Sequence, residues 1–197
     1  LPGPAHLAGV HTLRTLDDCL AIRSALDAGA DRMVVIGAGF IGAEVASVAR
    51  GRGVSVTLVE ALPAPFERVL GEQMGAVVAD VHVANGVDLR CGVGVSSVEG
   101  EPGDMTVTLA DGTGIDADLV VVGIGVVPNT DWLEGSGLTI DDGVACDPTC
   151  LAAPHVVAAG DVARWTNPRT GESMRVEHWD NAVEQGRHAV RRLLIPD

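Results

Sequence analysis

The sequence predicts an α/β fold: a parallel sheet built from strand–helix units, with an antiparallel three-stranded β-meander set into it and a partial second α/β domain after it. Three observations carry this. Gly37-Ala38-Gly39-Phe40-Ile41-Gly42 follows the apolar run Met33-Val34-Val35-Ile36 and precedes a helix-like stretch over residues 43–50. A second strand-like run, Val54-Ser55-Val56-Thr57-Leu58-Val59, is closed by Glu60, eighteen positions past Gly42. Further on, short alternating segments give way to the unbroken apolar run Leu119-Val120-Val121-Val122. A G-x-G-x-x-G between a strand and a helix, with an acid closing the next strand, is the Rossmann-like dinucleotide-binding pattern.

The elements follow in order. Residues 1–15 read as an extended linker. Thr15-Leu16-Asp17-Asp18 then opens a helix, with Thr15 as cap and Asp18 three positions on in a capping-box-like arrangement. The helix runs to about residue 27, and Ala28-Gly29-Ala30 stops it. Strand 33–36, the helix 40–50 and strand 54–59 come next, then a loop over 61–70 holding Pro63, Pro65 and Arg68. A helix over 72–84 ends at Asn85-Gly86, and Val87-Asp88-Leu89 makes a third parallel strand. Together these form a βαβαβ mononucleotide-binding half.

Alternating segments 93–99, 105–109 and 113–117 are separated by Gly100-Glu101-Pro102-Gly103-Asp104 and by Asp111-Gly112, which is meander patterning. The run 119–122 returns to the core as a parallel-type strand. Beyond Gly123 the sequence predicts a turn-rich exit, a short helix over 131–135, strands 144–146 and 155–159, and a last helix over 179–194. Ala182, Val183, Gly186, Ala189, Val190 and Leu193 share one face of that helix.

The fingerprint residues have separate tasks. Gly37 permits the tight turn, Gly39 lets a pyrophosphate approach the backbone, and Gly42 allows close helix–sheet packing. The helix N-terminus offers free N–H groups and partial positive charge. Glu60 can accept hydrogen bonds from adenosine ribose hydroxyls. The fingerprint alone leaves FAD and NAD open.

Composition narrows the classes. The chain has 197 residues, 47% hydrophobic, with 25 Gly and few aromatics, which suits tight turns and aliphatic strands. It has 13 Arg and no Lys, so this chain's side chains alone offer no Schiff-base step. A net charge of −14 argues against nucleic acid and anionic membranes. The charge is uneven: residues 160–197 balance 6 Arg against 6 acids. That locally neutral tail is a solvated surface or a docking face for an acidic partner. No apolar run is long enough to span a membrane, and Leu1-Pro2-Gly3-Pro4 lacks the charged region of a signal peptide. The absence of a starting Met reads as an excised piece of a longer chain.

Cys19, Cys91, Cys146 and Cys150 form no disulfide framework, which fits a reducing cytoplasm. Cys146-Asp147-Pro148-Thr149-Cys150 is C-x₃-C, not the redox C-x₂-C. His6, His11, His82, His155 and His188 form no metal-ligand spacing with the cysteines, so no metal site is expected.

Five segments in order resemble the two-dinucleotide flavoprotein reductases, specifically the ferredoxin (rubredoxin) reductase branch. They are Leu13-Arg14-Thr15-Leu16-Asp17-Asp18; Val35-Ile36 running through the glycine turn to Ala43-Glu44; Val121-Val122-Gly123-Ile124-Gly125-Val126-Val127-Pro128-Asn129; Ala158-Ala159-Gly160-Asp161-Val162-Ala163; and Glu177-His178-Trp179-Asp180-Asn181-Ala182. The resemblance implies hydride transfer from NADH to FAD and electron delivery to a ferredoxin-type iron–sulfur protein. It implies a linker segment over 1–16, an NAD(H)-binding domain over 17–123, and the C-terminal half of a FAD-binding domain over 124–197. The first FAD half and the C-terminal domain would lie outside this sequence.

By the same resemblance Gly37, Gly39, Phe40, Ile41 and Gly42 form the pyrophosphate turn, and Glu44 lies near the nicotinamide carboxamide. Glu60 binds ribose, and Arg68 approaches the adenosine phosphate region. Gly123, Ile124 and Gly125 lie against the nucleotide, Asp161 bonds the flavin ribityl chain, and Trp179 borders the isoalloxazine ring. No side chain is needed as an acid or base for hydride transfer. Nothing basic lies between Ala61 and Glu67, so a 2′-phosphate would meet Glu60 unpaired, which favours NADH over NADPH. The chain departs from the family at Val157, where an aromatic is usual.

Alternatives stay open: an NAD(H)-binding module without turnover, a piece of an NADH oxidase or nitrite reductase flavoprotein, or a disulfide reductase using Cys146 and Cys150. Standing alone, the second half would expose a sheet edge and the Val183/Val190 face, inviting a homodimer.

Overall fold

The computed structural model describes residues 7–195; Leu1-Pro2-Gly3-Pro4 and His6 lie outside the described residues. The chain divides between Gly125 and Val126 into two compact units.

The first unit is built on a five-stranded parallel sheet. Its strands are β1 (Val10–Thr12), β2 (Arg32–Ile36), β3 (Ser55–Glu60), β4 (Asp88–Cys91) and a strand numbered β8 (Leu119–Val122) by its place in the chain. The order across the sheet is β1-β8-β2-β3-β4. Between β4 and β8 the chain forms an antiparallel meander of β5 (Val95–Glu101), β6 (Asp104–Leu109) and β7 (Gly114–Ala117). Among the described residues three α-helices complete the unit: α1 (Leu16–Asp27), α2 (Phe40–Gly51) and α3 (Glu67–Ala84).

Period-two alternation explains why β8 and residues 33–36 of β2 are apolar on both faces. Met33 and Val35 join Leu58, Leu119 and Val121 in a core that includes Ala46 and Ala49 of α2. Val34, Ile36 and Val120 point the other way, against Met105, Val107, Leu109 and Ala117 of the meander. Each strand is thus buried on both faces, by helices on one side and the meander on the other.

The start of α1 forms as its spacing predicts. The Asp18 N–H donates to the Thr15 hydroxyl at 3.2 Å, and the Thr15 N–H donates back to the Asp18 carboxylate at 2.8 Å. The segment read as a linker contributes β1, which pairs in parallel with β8 from Val10↔Val120 to Thr12↔Val122. Helix α3 starts earlier than residue 72, at Glu67, and carries a break at Gly71 (φ 75°, ψ 167°).

Asp118 joins β2 to the β7–β8 junction. Its carboxylate accepts from the Asp31 and Arg32 N–H groups at 3.0 and 2.8 Å and from Arg32 Nε at 3.1 Å. The Arg32 guanidinium and these backbone donors hold its pKa below the usual carboxylate value. A depressed folded-state pKa stabilises the fold above the unfolded-state value of about 3.9, and the contribution disappears as pH falls through the folded value. Asp118→Asn is therefore expected to lower stability by about 1–2 kcal/mol at neutral pH. Its acid denaturation curve should converge with that of the wild type once the pH has fallen through the lowered folded-state value of Asp118. An undiminished gap at that pH would contradict the assignment.

The second unit contains β9 (Val144–Cys146), β10 (Leu151–Ala153), β11 (Val156–Val157), β12 (Ala163–Thr166), β13 (Ser173–Met174) and α4 (Trp179–Leu194). The expected strand over 155–159 shrinks to Val156–Val157, and His155 just before it takes a left-handed turn conformation at φ 63°. The expected helix near 131–135 is a single 3-10 turn, Asp131–Leu133. Strands β10, β12 and β13 are too short to give a periodic signal.

Candidate functional site

The sheet order reverses at β2: β3 and β4 lie on one side of it, β8 and β1 on the other. A parallel sheet opens a crevice at such a switch point, beyond the carboxyl ends of the two diverging strands. Here those ends are Gly37 and Gly123. The Gly37 N–H donates to the Val59 carbonyl at 2.7 Å, and the Gly123 N–H donates to the Ile36 carbonyl at 2.8 Å.

Glycine is required at two fingerprint positions. Gly37 has φ 99°, and a Cβ there would lie 2.5 Å from the Gly123 carbonyl oxygen. A Cβ on Gly42 would lie 1.8 Å from the Gly37 carbonyl oxygen. At Gly39, by contrast, a Cβ would meet nothing within 4 Å. The backbone there faces open space, room that a phosphate can occupy. Gly39 is also the N-cap of α2 and provides no side-chain cap, so the first-turn N–H groups stay available to an anion.

Glu60 does more than close its strand. Its carboxylate accepts from the Ala38 N–H at 2.8 Å and from the Leu62 N–H at 2.9 Å. One side chain thereby ties the glycine turn to the loop after β3, and each oxygen keeps acceptor capacity.

Phe40 begins α2 and is 51% exposed, with Ile41 half-buried beside it. The Phe40 ring meets Phe66 edge-on, with centroids 4.9 Å apart. Phe66 was not singled out from the sequence. Its one signal is the preceding Pro63-Ala64-Pro65, which constrains the loop without indicating which ring it delivers. Glu44 is exposed on α2, and Arg68 is exposed in the first turn of α3 with no ion pair among the described residues. Ile124 (56% exposed) and Gly125 extend from Gly123 at the end of β8. The first unit thus gathers Gly37, Gly39, Phe40, Ile41, Gly42, Glu60 and Gly123 at one end of the sheet, while Glu44 and Arg68 sit on helix surfaces.

In the second unit, Asp161 lies exposed in the 3-10 turn Gly160–Val162, and its carboxylate has no partner among the described residues. Trp179 is the first residue of α4 and is 72% exposed. His178 caps this helix by accepting from the Asp180 N–H at 3.3 Å. The two elements are locked together. The buried Gln185 side-chain oxygen accepts from the Gly160 N–H at 2.8 Å, and a Cβ on Gly160 would lie 3.3 Å from Ala182 Cβ. Arg175 adds a second tie that the sequence reading missed: its guanidinium donates to the Asp161 carbonyl at 3.1 Å and pairs with Glu177 just before α4.

The cysteine pair is chemically quiet. Burial, with added repulsion from Cys150 and Asp147, pushes the Cys146 thiol up to about 11. The Cys150 thiol is raised as well, mainly by burial. Thiols that stay protonated at neutral pH make poor nucleophiles, so the geometry gives the disulfide-reductase alternative no support. Among the described residues no cluster of His, Cys, Asp or Glu is arranged to hold a metal ion, and no helix is long and apolar enough to cross a membrane.

Comparison with known proteins places this geometry. The family model described as pyridine nucleotide-disulphide oxidoreductase matches residues 1–186. The chain is 41% identical to rhodocoxin reductase of Rhodococcus erythropolis, over 95% of this chain and 44% of that protein. It is similar to the crystal structure of the ferredoxin reductase for the CYP199A2 system from Rhodopseudomonas palustris, with TM-score 0.90, 38% identity, and coverage of 98% of this chain and 48% of that one. It is also similar to the reductase in the covalent putidaredoxin reductase–putidaredoxin complex, with TM-score 0.85, 35% identity, and coverage of 94% and 45%. The chain spans a little under half the length of these relatives.

Proposed function

The chain belongs to the pyridine nucleotide-disulphide oxidoreductase family, and from that premise we propose that it is the NADH-binding portion of a ferredoxin reductase-like flavoprotein. The observation that carries the reading is the glycine turn at the switch point of the parallel sheet. Its helix N-terminus has no side-chain cap, and Gly39 leaves the approach to it open.

The residues fit the group they would hold. Gly37, Gly39, Phe40, Ile41 and Gly42 would receive the pyrophosphate on backbone N–H groups, and Glu60 would offer its spare lone pairs to the ribose. Gly123, Ile124 and Gly125 would wall the crevice, with Glu44 toward the nicotinamide end and Arg68 toward the adenosine phosphate. The bound cofactors would supply the redox chemistry, a hydride from NADH to FAD and single electrons onward to a ferredoxin-type iron–sulfur protein. This chain's part is to bind, orient and exclude water, with no side-chain acid or base.

In the second unit the unpartnered Asp161 carboxylate and the exposed Trp179 ring, tied together through Gln185 and Arg175, would form half of a flavin cradle. Ferredoxin as the acceptor rests on what relatives are named for, the ferredoxin reductase for the CYP199A2 system among them. A reducing cytoplasm rests on four free cysteines, Cys19, Cys91, Cys146 and Cys150. Val183 (43% exposed) and Val190 (55% exposed) on α4 support pairing with a second copy when the chain stands alone.

The test is direct. Purified chain is titrated with NADH and NADPH by tryptophan fluorescence, and any released cofactor is identified by mass spectrometry and an ultraviolet–visible spectrum. NADH is expected to bind at least about tenfold more tightly than NADPH. Absence of NADH binding would sink the proposal. A second reading, an NAD(H)-binding module without turnover, is favoured for this chain alone by its half-length coverage of the relatives. Flavin absorbance in the purified protein would exclude it.

A further inference from the structure

We propose that Phe66 is a positioning residue for the dinucleotide turn, acting through Phe40. The inference rests on the NADH-binding reading and deepens it.

Three independent observations meet at this residue. Phe66 adopts a left-handed backbone conformation, φ 55° and ψ 15°, in which a bulky side chain is strained. Strain of this kind persists only where the surroundings over-determine it. The Phe66 N–H donates at 3.1 Å to the carbonyl of Ala38, inside the glycine turn. The Phe66 ring packs edge-on against Phe40, the first residue of the helix whose N–H groups face the open approach.

The neighbouring loop is built to hold Phe66 there. Pro65 is fully buried, and the Ala64 N–H donates to the Glu67 carboxylate at 3.1 Å. A Cβ on Gly75 of α3 would lie 2.6 Å from the Pro65 carbonyl, so the helix backbone closes on the loop directly. The Phe66 carbonyl accepts from the Val69 and Leu70 N–H groups, each at 2.9 Å, so α3 begins on this residue. Loop, helix and glycine turn are therefore registered on one residue.

The consequence is a chain of contact from α3 to the anion-facing turn. Glu60 holds the turn from one side through the Ala38 N–H. Phe66 holds it from the other through the Ala38 carbonyl and the Phe40 ring. With both polar groups of the Ala38 residue engaged, the two peptide planes flanking Ala38, the second of which carries the Gly39 N–H, are set before any ligand arrives. Pre-set donors bind without a reorganisation cost. The Phe66 side chain sets where the Phe40 ring lies, and so the first turn of α2.

The test is a double-mutant cycle read in NADH affinity. Phe66→Ala, Phe40→Ala and the double variant are titrated with NADH, and each apoprotein is melted to confirm folding. Phe66→Ala is expected to raise the NADH Kd about tenfold, the size of one lost aromatic pair. In the Phe40→Ala background the same change is expected to add less than about twofold. Phe66→Tyr should restore affinity to within about twofold of wild type, while Phe66→Leu, of similar bulk but without an aromatic edge, should not. Additive effects in the cycle, or equal affinity for the leucine and tyrosine variants, would overturn the proposal. The leucine–tyrosine comparison decides the matter even if the alanine variant fails to fold. Wild-type chain that binds NADH while Phe66→Ala leaves Kd unchanged removes this inference and leaves the NADH reading standing. Wild-type chain that does not bind NADH removes both.

Discussion

Gly42→Ala is expected to abolish measurable NADH binding, a loss of at least about 100-fold in affinity. The added methyl would stand 1.8 Å from the Gly37 carbonyl oxygen and 3.3 Å from a methyl of Val35. The first clash is with backbone, and no rotamer relieves it. Either α2 withdraws from the sheet or the glycine turn opens, and both displace the N–H groups beside Gly39. Overpacking of this kind also lowers stability, by about 1–3 kcal/mol. Gly51, at the other end of α2, is the control. A Cβ there meets nothing within 4 Å, so Gly51→Ala should leave affinity unchanged and raise stability slightly. Circular dichroism melts and NADH titration of the two variants give the comparison. Gly42→Ala binding within about threefold of wild type would show that the helix does not need this close approach.

Glu60→Gln carries the second large effect. Charge repulsion alone would make Glu60 a barrier to NADPH, so neutralising it should improve NADPH binding. The carboxylate, however, accepts from both the Ala38 and the Leu62 N–H groups. Glutamine can keep only one of these bonds, because its amide nitrogen would face an N–H donor. The expected result is an NADH Kd raised about thirtyfold, the scale of hydrogen bonds to a charged group, while NADPH affinity moves less than about threefold. Preference shifts toward NADPH through loss of NADH. Glu60→Ser with Ala61→Arg should show the same limit, since serine is too short to span both N–H groups. A large absolute gain in NADPH affinity for Glu60→Gln would show that repulsion, not loop anchoring, is the main role of this acid.

Features specified by neighbours in sequence were legible. The Thr15–Asp18 capping box formed between residues three apart, and the glycine turn formed between a strand and a helix that are contiguous with it. The two-faced burial of β2 and β8 followed from unbroken apolar runs. Features that depend on distant partners were not legible. Val10–Thr12 has no strand signal of its own, and its pairing with β8 supplies one from more than a hundred residues away. Arg175 reads as a surface arginine until the Asp161 carbonyl is placed beside it. Phe66 gives no sign of a left-handed backbone, since that conformation is imposed by the buried Pro65 and by the Ala38 carbonyl.

The sequence by itself determined that this chain carries a dinucleotide-type turn with an acid closing the following strand. The positive φ at Gly37 and the five-residue spacing that sets Gly42 against the Gly37 carbonyl are local properties, and only glycine satisfies them. The tertiary structure decided what these residues face. It set Gly123 against Gly37 at the reversal of strand order, left the approach at Gly39 open, and placed Glu60 and Phe66 on opposite sides of the Ala38 residue. Those relations join segments separated by tens of residues. They arise only when burial of the strands on both faces brings the segments together.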